Sequence, residues 1–246
     1  MTAAIILAAG RGSRLAPYTD DDPKSLVPVA GRPLLEWQLD ALRRGGATRI
    51  GIVAGWRAER LAGRADRDFV NRAWDRTNMV QSLVIADEWL SSGPVLVAYS
   101  DLLYTARDVA TLLAARGPIA LSYDADWARL WRARFDDPCS DAEGFRLTKT
   151  GDLAEIGGRI GNVREAEGQF MGLLRFEPAG WAAVRRCLSE MEPARQAMID
   201  VTGLLRIMLA TGATIQAVRA AGPWCEVDSS TDLGVAERLV AQDGFG

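Results

Sequence analysis

The sequence predicts a three-layer α/β domain, a sheet with helices on both faces. Three observations predict it. An apolar run at the amino terminus empties into a glycine loop, and strand-like and helix-like segments then alternate as far as Tyr123. The 246 residues, 48% of them hydrophobic, can fill one sizeable core.

Taken in order, Ala3–Leu7 reads as a buried strand. Leu34–Arg44 reads as an amphipathic helix ended by Gly45-Gly46. Arg49–Ala54 is a second strand, followed by a short helix near Ala58–Gly63. Met79–Leu90 reads as one helix, stopped by Ser91-Ser92-Gly93-Pro94. Val95–Tyr99 is a buried strand, Val109–Ala115 a helix and Ile119–Tyr123 another strand. From Asp124 to Phe176 the pattern changes to hairpin-like pieces: Phe145–Thr148, a turn at Thr150-Gly151-Asp152, Leu153–Ile156 and Phe170–Phe176. Helices follow at Gly180–Met191 and Val201–Thr211, then a strand near Thr214–Val218 and a last helix at Thr231–Gln242. No repeat, low-complexity tract or linker interrupts the chain. The later half therefore reads as an insertion built onto one core sheet.

Composition removes several function classes. A formal net charge of −3 lacks the basic excess of a nucleic-acid binder. No apolar stretch is long enough to span a membrane, and the start lacks the pattern of a signal peptide, so a cytoplasmic protein is expected. Cys139, Cys187 and Cys225 are odd in number, far apart and without zinc spacing, as expected of reduced thiols. Histidine is absent, which excludes a Ser-His-Asp hydrolase and a His-ligated metal centre; any metal would sit on oxygen.

The chemistry concentrates in the first 38 residues. The opening strand breaks into Ala8-Ala9-Gly10-Arg11-Gly12-Ser13-Arg14, and Pro23-Lys24 follows ten residues later. Small residues let backbone N–H groups approach an anion, and the fixed cations neutralise it. The fitting ligand is a polyphosphate, and a nucleoside triphosphate is expected. A Walker A loop is excluded because no lysine follows Gly12 at the required place. A dinucleotide fingerprint is excluded because Leu15 stands where its third glycine should be.

The ordered pattern Leu7-Ala8-Ala9-Gly10-x-Gly12-x-Arg14-x-x-Pro17-x-Thr19, Pro23-Lys24 and Pro28-Val29-x-Gly31-x-Pro33-Leu34 resembles the signature of nucleotidyltransferases that make sugar nucleotides and CDP-alcohols. That resemblance implies a Rossmann-like αβα fold, with a mixed, mostly parallel central sheet and a small inserted acceptor-binding subregion. It implies one domain, with a nucleotide-binding core at 1–123, an acceptor-binding part at 124–228 and a C-terminal helix at 229–246. It also implies a reaction with pyrophosphate as leaving group. Arg14 and Lys24 would neutralise the triphosphate, and Leu7, Ala8, Ala9, Gly10, Arg11, Gly12, Ser13 and Ser100 would contact the nucleotide. For Arg11 two readings stay open, a triphosphate ligand or a solvated arginine.

Ligands of open α/β sheets gather at the carboxyl ends of strands, where Asp101 follows Val95–Tyr99. A second acid, Asp228, ends Trp224-Cys225-Glu226-Val227-Asp228. Family members place an aspartate in each context, and the pair grips Mg2+. The competing readings are a turn cap for Asp101 and a helix N-cap for Asp228. Glu226 would share a face with Asp228 if extended, in a supporting role. Thr77-Asn78-Met79-Val80-Gln81-Ser82 stands where sugar-specific relatives carry a glycine-rich segment, and it resembles cytidylyltransferases acting on phosphocholine and similar alcohol phosphates. Asn78, Gln81 and Ser82 are then candidates for reading cytosine and ribose, with helix capping by Thr77 or Asn78 as the alternative.

The segment 123–143, with Glu167–Gly172, resembles the branch of these cytidylyltransferases associated with phosphonate biosynthesis. Asp126, Arg129, Trp131, Arg132, Asp141, Glu143 and Gln169 are its acceptor-binding candidates. Arginines suit a phosphonate, while a tryptophan and carboxylates suit an amine. A solvated basic helix face with a packed tryptophan, and turn caps for the acids, are the alternatives. The expected partners are CTP and a small anionic phosphonate or phosphate such as 2-aminoethylphosphonate or phosphocholine, with no nucleic acid and no membrane; a homodimer stays open. Two other functions remain: a sugar-1-phosphate nucleotidyltransferase using UTP or GTP, and a nucleotide-sensing protein without turnover.

Overall fold

The computed structural model describes residues 2–243 and 245. Seven strands form the central sheet: β1 (Ala3–Ala8), β2 (Arg49–Ala54), β3 (Arg67–Val70), β4 (Val95–Tyr99), β5 (Ile119–Asp124), β6 (Gln169–Phe176) and β7 (Gln216–Arg219). Their spatial order is β7-β5-β6-β4-β1-β2-β3. β1 pairs parallel with β2 and β4, β2 with β3, and β5 with β7, while β6 runs antiparallel to both β4 and β5. The sheet is therefore mixed and mostly parallel, within a three-layer α/β arrangement. All six residues of β1 are buried, as a central parallel strand covered on both faces requires.

The helices are α1 (Leu34–Arg44), α2 (Met79–Ile85), α3 (Asp87–Ser92), α4 (Ala106–Leu113), α5 (Trp127–Arg134), α6 (Pro178–Ser189), α7 (Pro193–Met198), α8 (Val201–Ala210) and α9 (Ser230–Asp243). α1 packs on α4, α3 on α6, α8 on both α2 and α6, and α5 on α9. A hairpin, Glu143–Leu147 with Leu153–Arg159, lies against α8. Among the described residues no helix is long and apolar enough to cross a membrane.

Several boundaries differ from expectation, each for a local reason. The stretch Met79–Leu90 is two helices meeting at Ala86, whose φ of −95° and ψ of 20° leave the helical region. Asp87 and Glu88 then open α3 as first-turn acids, and α3 runs through Ser91 and Ser92 to Gly93. The helix expected near Ala58–Gly63 is a single 3-10 turn, Ala58–Arg60. α4 starts at Ala106, earlier than its apolar face suggests, because Thr105 and Asp108 form a reciprocal capping box. β3 went unread because only Phe69 of its four residues is buried. α7, opened by Pro193, was likewise unread.

Candidate active site

The glycine loop leaves β1 at the centre of the sheet. Gly12 adopts φ +70°, and a Cβ there would lie 2.8 Å from Lys24 Cβ and 2.9 Å from Lys24 Cδ. Its missing side chain thus lets the lysine pass close by, and the left-handed conformation suits glycine. The Thr19 hydroxyl donates to the Gly12 carbonyl at 2.9 Å, tying the loop down. Lys24, only 7% exposed, begins a 3-10 turn and points its ammonium at two acids. It is 2.9 Å from Asp101 Oδ2 and also bonds Asp228 Oδ1. Arg14 Nη2 lies 2.5 Å from Asp228 Oδ2.

Asp101 is delivered by the end of β4. The Gln38 amide, 1% exposed on the apolar face of α1, donates to the Tyr99 and Leu102 carbonyls at 2.9 and 2.6 Å. That brace fixes the turn on which Asp101 sits. Asp228 arrives from a different part of the chain. Cys225–Glu226 pairs antiparallel with Leu102–Leu103, and Val227 N–H donates to the Asp101 carbonyl at 2.8 Å. This short pairing brings the two acids side by side. Oxygens of Asp101, Glu226 and Asp228 lie within 4.8 Å of one another. Burial and the Asp101 carboxylate push the Glu226 carboxyl above its usual range.

The donor set fits a hard divalent cation. Among the described residues Asp101 Oδ1 is buried without a hydrogen-bond partner. Around it two buried cations, Lys24 and Arg134, face four carboxylates, those of Asp101, Glu226, Asp228 and Asp232. Carboxylate oxygens with an excess of negative charge suit an oxygen-seeking ion such as magnesium.

A cavity of about 270 Å³ lies over the end of β1, lined by Leu7, Ala9, Gly10, Gly12, Arg14, Lys24, Asn78, Ser82, Ser100, Asp101 and Asp228 of the residues expected there, and also by Trp74, Thr77, Met79, Tyr99 and Glu226. Ala8 is buried in β1 outside this lining. Ser13 and Arg11 are exposed and outside this lining, and Arg11 stands 3.9 Å from Asp20 with its guanidinium over Trp56. Asn78 caps α2, its Oδ1 accepting from Met79 N–H at 2.7 Å, and it also lines the cavity. Ser82 accepts from the buried Asn71 amide at 3.0 Å. Gln81 is not brought to the cavity, because its amide donates to the Gln196 carbonyl at 3.0 Å.

A second cavity, about 200 Å³, adjoins the first and shares Arg14, Glu226 and Asp228 with it. Trp131, Asp141, Glu143 and Gln169 line it, with Phe145 and Phe170. Gln169 is 5% exposed; its amide donates to the Glu143 carbonyl and its oxygen accepts from Glu143 N–H at 3.0 Å, fixing the start of the hairpin. Burial, then Asp200 and Asp141, push the Glu143 carboxyl up. The Trp131 indole nitrogen is buried and has no hydrogen-bond partner among the described residues. Three acceptor candidates lie elsewhere. Trp127, Trp131 and Arg134 form the buried face of α5, so Arg129 and Arg132 turn outward to solvent. Asp126, exposed, pairs with Arg219 at 2.8 Å in a separate cleft that Arg129 also lines.

Sequence reading missed Trp74, Gln38 and the pair Arg134–Asp232. Gln38 left a signal, a polar residue within the apolar stripe Leu34, Leu35, Leu39, Leu42. Arg134 left one too, seven residues after Trp127 and three after Trp131.

The profile of the MobA-like NTP transferase domain matches residues 4–211. The chain belongs to that family. It is thus a nucleotidyltransferase, and its relatives include cytidylyltransferases. It is 30% identical to the CTP:phosphoglutamine cytidylyltransferase of Campylobacter jejuni, over 94% of this chain and 98% of that one. It is 34% identical to the 2-aminoethylphosphonate cytidylyltransferase of Lancefieldella rimae, over 42% of this chain and 44% of that one. Sugar-phosphate enzymes match as well, the glucose-1-phosphate thymidylyltransferase of Streptomyces antibioticus at 27% over 98% of this chain and 66% of its own. The inositol-1-phosphate CTP transferase structure from T. maritima superposes with a TM-score of 0.76 at 20% identity, over 98% of this chain and 97% of that one, and so shares the fold.

Proposed function

We propose that the protein is a CTP-dependent cytidylyltransferase that joins CMP to a small phosphonate or phosphate bearing an ammonium group and releases pyrophosphate. 2-Aminoethylphosphonate is the leading acceptor, with phosphocholine and phosphoglutamine as variants of the same chemistry. One observation carries the reading: the charge order of the second cavity. Arg14 is the one cation among its lining residues and stands at the junction with the nucleotide cavity. The walls beyond it carry Asp141, Glu143 and the aromatic Trp131, Phe145 and Phe170. An acceptor anion belongs at Arg14 and a cationic nitrogen among the acids and rings. A sugar 1-phosphate offers neutral hydroxyls to that end.

On this reading residues 1–123 hold CTP and the 124–228 segment shapes the acceptor pocket. The acceptor oxygen is already anionic at neutral pH, so no general base is needed. A new P–O bond forms at the α-phosphorus as the bridge to the β-phosphate breaks, its electron pair leaving with pyrophosphate. Arg14, Lys24 and the amides of Gly10 and Gly12 carry the triphosphate charge. Asp101 and Asp228 would hold a magnesium ion, which when bound supplies further neutralisation of the phosphates. Catalysis is then positioning and preorganised charge.

The test is pyrophosphate release from CTP, UTP, GTP and ATP, each offered with 2-aminoethylphosphonate, phosphocholine, phosphoglutamine and a set of sugar 1-phosphates. The expected signal needs CTP and an ammonium-bearing acceptor. Turnover only from UTP or GTP with a sugar 1-phosphate overturns the reading. Tight CTP binding without pyrophosphate from any acceptor points instead to a nucleotide sensor.

A further inference from the structure

Arg134 lies at the end of α5, its side chain 1% exposed, with its guanidinium 5.0 Å from the Trp131 ring centroid and 4.9 Å from that of Phe135. A buried cation of this kind needs acids beside it, and here Nε and Nη2 are engaged while Nη1 is buried without a hydrogen-bond partner among the described residues. Its Nε donates to Asp232 Oδ1 at 2.8 Å, and its Nη2 donates to Glu226 Oε2 at 3.0 Å and Asp232 Oδ2 at 3.4 Å. Asp232, also 1% exposed, passes the constraint on. Its Oδ2 accepts the backbone N–H groups of Asp228 and Ser229, each at 3.0 Å. One guanidinium therefore sets two things at once: the side chain of Glu226 and, through Asp232, the backbone that presents Asp228. Both lie in the cluster with Asp101.

We infer that Arg134 is a positioning residue that, with Asp232, orients Glu226 and the Asp228 loop for divalent-ion binding, and that α5 thereby ties this site to the Trp131 wall of the acceptor pocket. The inference rests on the divalent-ion part of the proposed function. Lysine keeps the charge but not the planar fork that reaches two acids at once, so Arg134→Lys isolates the geometry from the charge. Partners that orient metal ligands typically change affinity by about 10–100-fold when replaced.

The experiment measures Mn2+ binding to the protein with CTP by electron paramagnetic resonance, with circular dichroism as the folding check. Arg134→Lys and Asp232→Asn are each expected to stay folded and to raise the Mn2+ dissociation constant about tenfold or more. Both should lower kcat while leaving KM for the acceptor within about twofold. Arg175→Lys is the control for losing a buried ion pair, since Arg175 pairs with Glu177 at the far end of β6; it should leave Mn2+ affinity unchanged. If Arg134→Lys fails to fold, Asp232→Asn alone decides. Wild-type Mn2+ affinity in either folded variant, or an equal loss in Arg175→Lys, overturns the positioning role. Failure of the unaltered protein to bind Mn2+ overturns the divalent-ion reading beneath it.

Discussion

At the scale of single residues, Lys24 and Asp101 bear most of the proposed chemistry. Lys24→Ala and Asp101→Asn should each leave a folded protein whose kcat is lower by about 10²–10³, roughly 3–4 kcal/mol, as for loss of one preorganised charge stabiliser. Steady-state pyrophosphate release checks this, and near-normal turnover by either variant removes the mechanism. Glu143 makes a separate prediction about pH. Its raised carboxyl binds a proton more tightly folded than unfolded, so it favours the native state at low pH and that contribution is lost as pH rises through its window above 4.5. Glu143→Gln should therefore raise Tm at neutral pH, with the gain vanishing on the acid side, while raising KM for an ammonium-bearing acceptor about tenfold and leaving KM for CTP unchanged. Thermal melts and initial rates across pH read both effects. Lys24, Asp101 and Asp228, singled out by the family resemblance and by strand-end placement, do meet in one cluster, whereas Arg129 and Arg132 lie on the solvated helix face that was the alternative reading, because the rotation of that helix cannot be read from the spacing of its arginines. Once α5 forms with Trp127 and Trp131 inward, those two arginines turn out and Arg134 turns in.

At the scale of elements, the site depends on short pieces that hold two distant segments together. Asp108, 1% exposed, caps α4 through Thr105 and also accepts from Ala221 N–H at 2.7 Å and Gly222 N–H at 3.1 Å. It thus pins the loop that leads into Cys225–Glu226 and Asp228. Asp108→Ala should cost about 2–3 kcal/mol, since it strands several half-buried donors. For a chain of this size that lowers Tm by roughly 4–12 °C, a shift readable by calorimetry; a change near zero would show that the loop is held by other contacts. The strands β1, β2, β4 and β5 were readable because each is a nearly continuous apolar run. The pairing of Cys225–Glu226 with Leu102–Leu103 was not, since two residues carry no period and the partner lies over a hundred positions away. The division at Ala86 was hidden for a related reason: Leu83, Ala86, Trp89 and Leu90 are all buried, so the apolar face runs on through the break.

At the scale of the molecule, the mostly parallel sheet places the glycine loop of β1 next to the end of β4, and the carboxy-terminal segment closes over both. The antiparallel β6 starts at Gln169, so the same sheet that carries the glycine loop also anchors the second cavity, the proposed acceptor pocket. The two cavities adjoin at Arg14, Glu226 and Asp228, with Asp141 and Glu143 beyond them, and the central proposal is that an ammonium-bearing phosphonate or phosphate meets CTP there. Phosphorus NMR of the unaltered protein with CTP, magnesium and 2-aminoethylphosphonate tests the claim most directly. The predicted result is loss of the CTP resonances, growth of pyrophosphate, and a new pair of mutually coupled signals from the α-phosphorus and the phosphonate, now joined through one oxygen. An unchanged CTP spectrum with every ammonium-bearing acceptor, beside conversion of UTP with a sugar 1-phosphate, would contradict it.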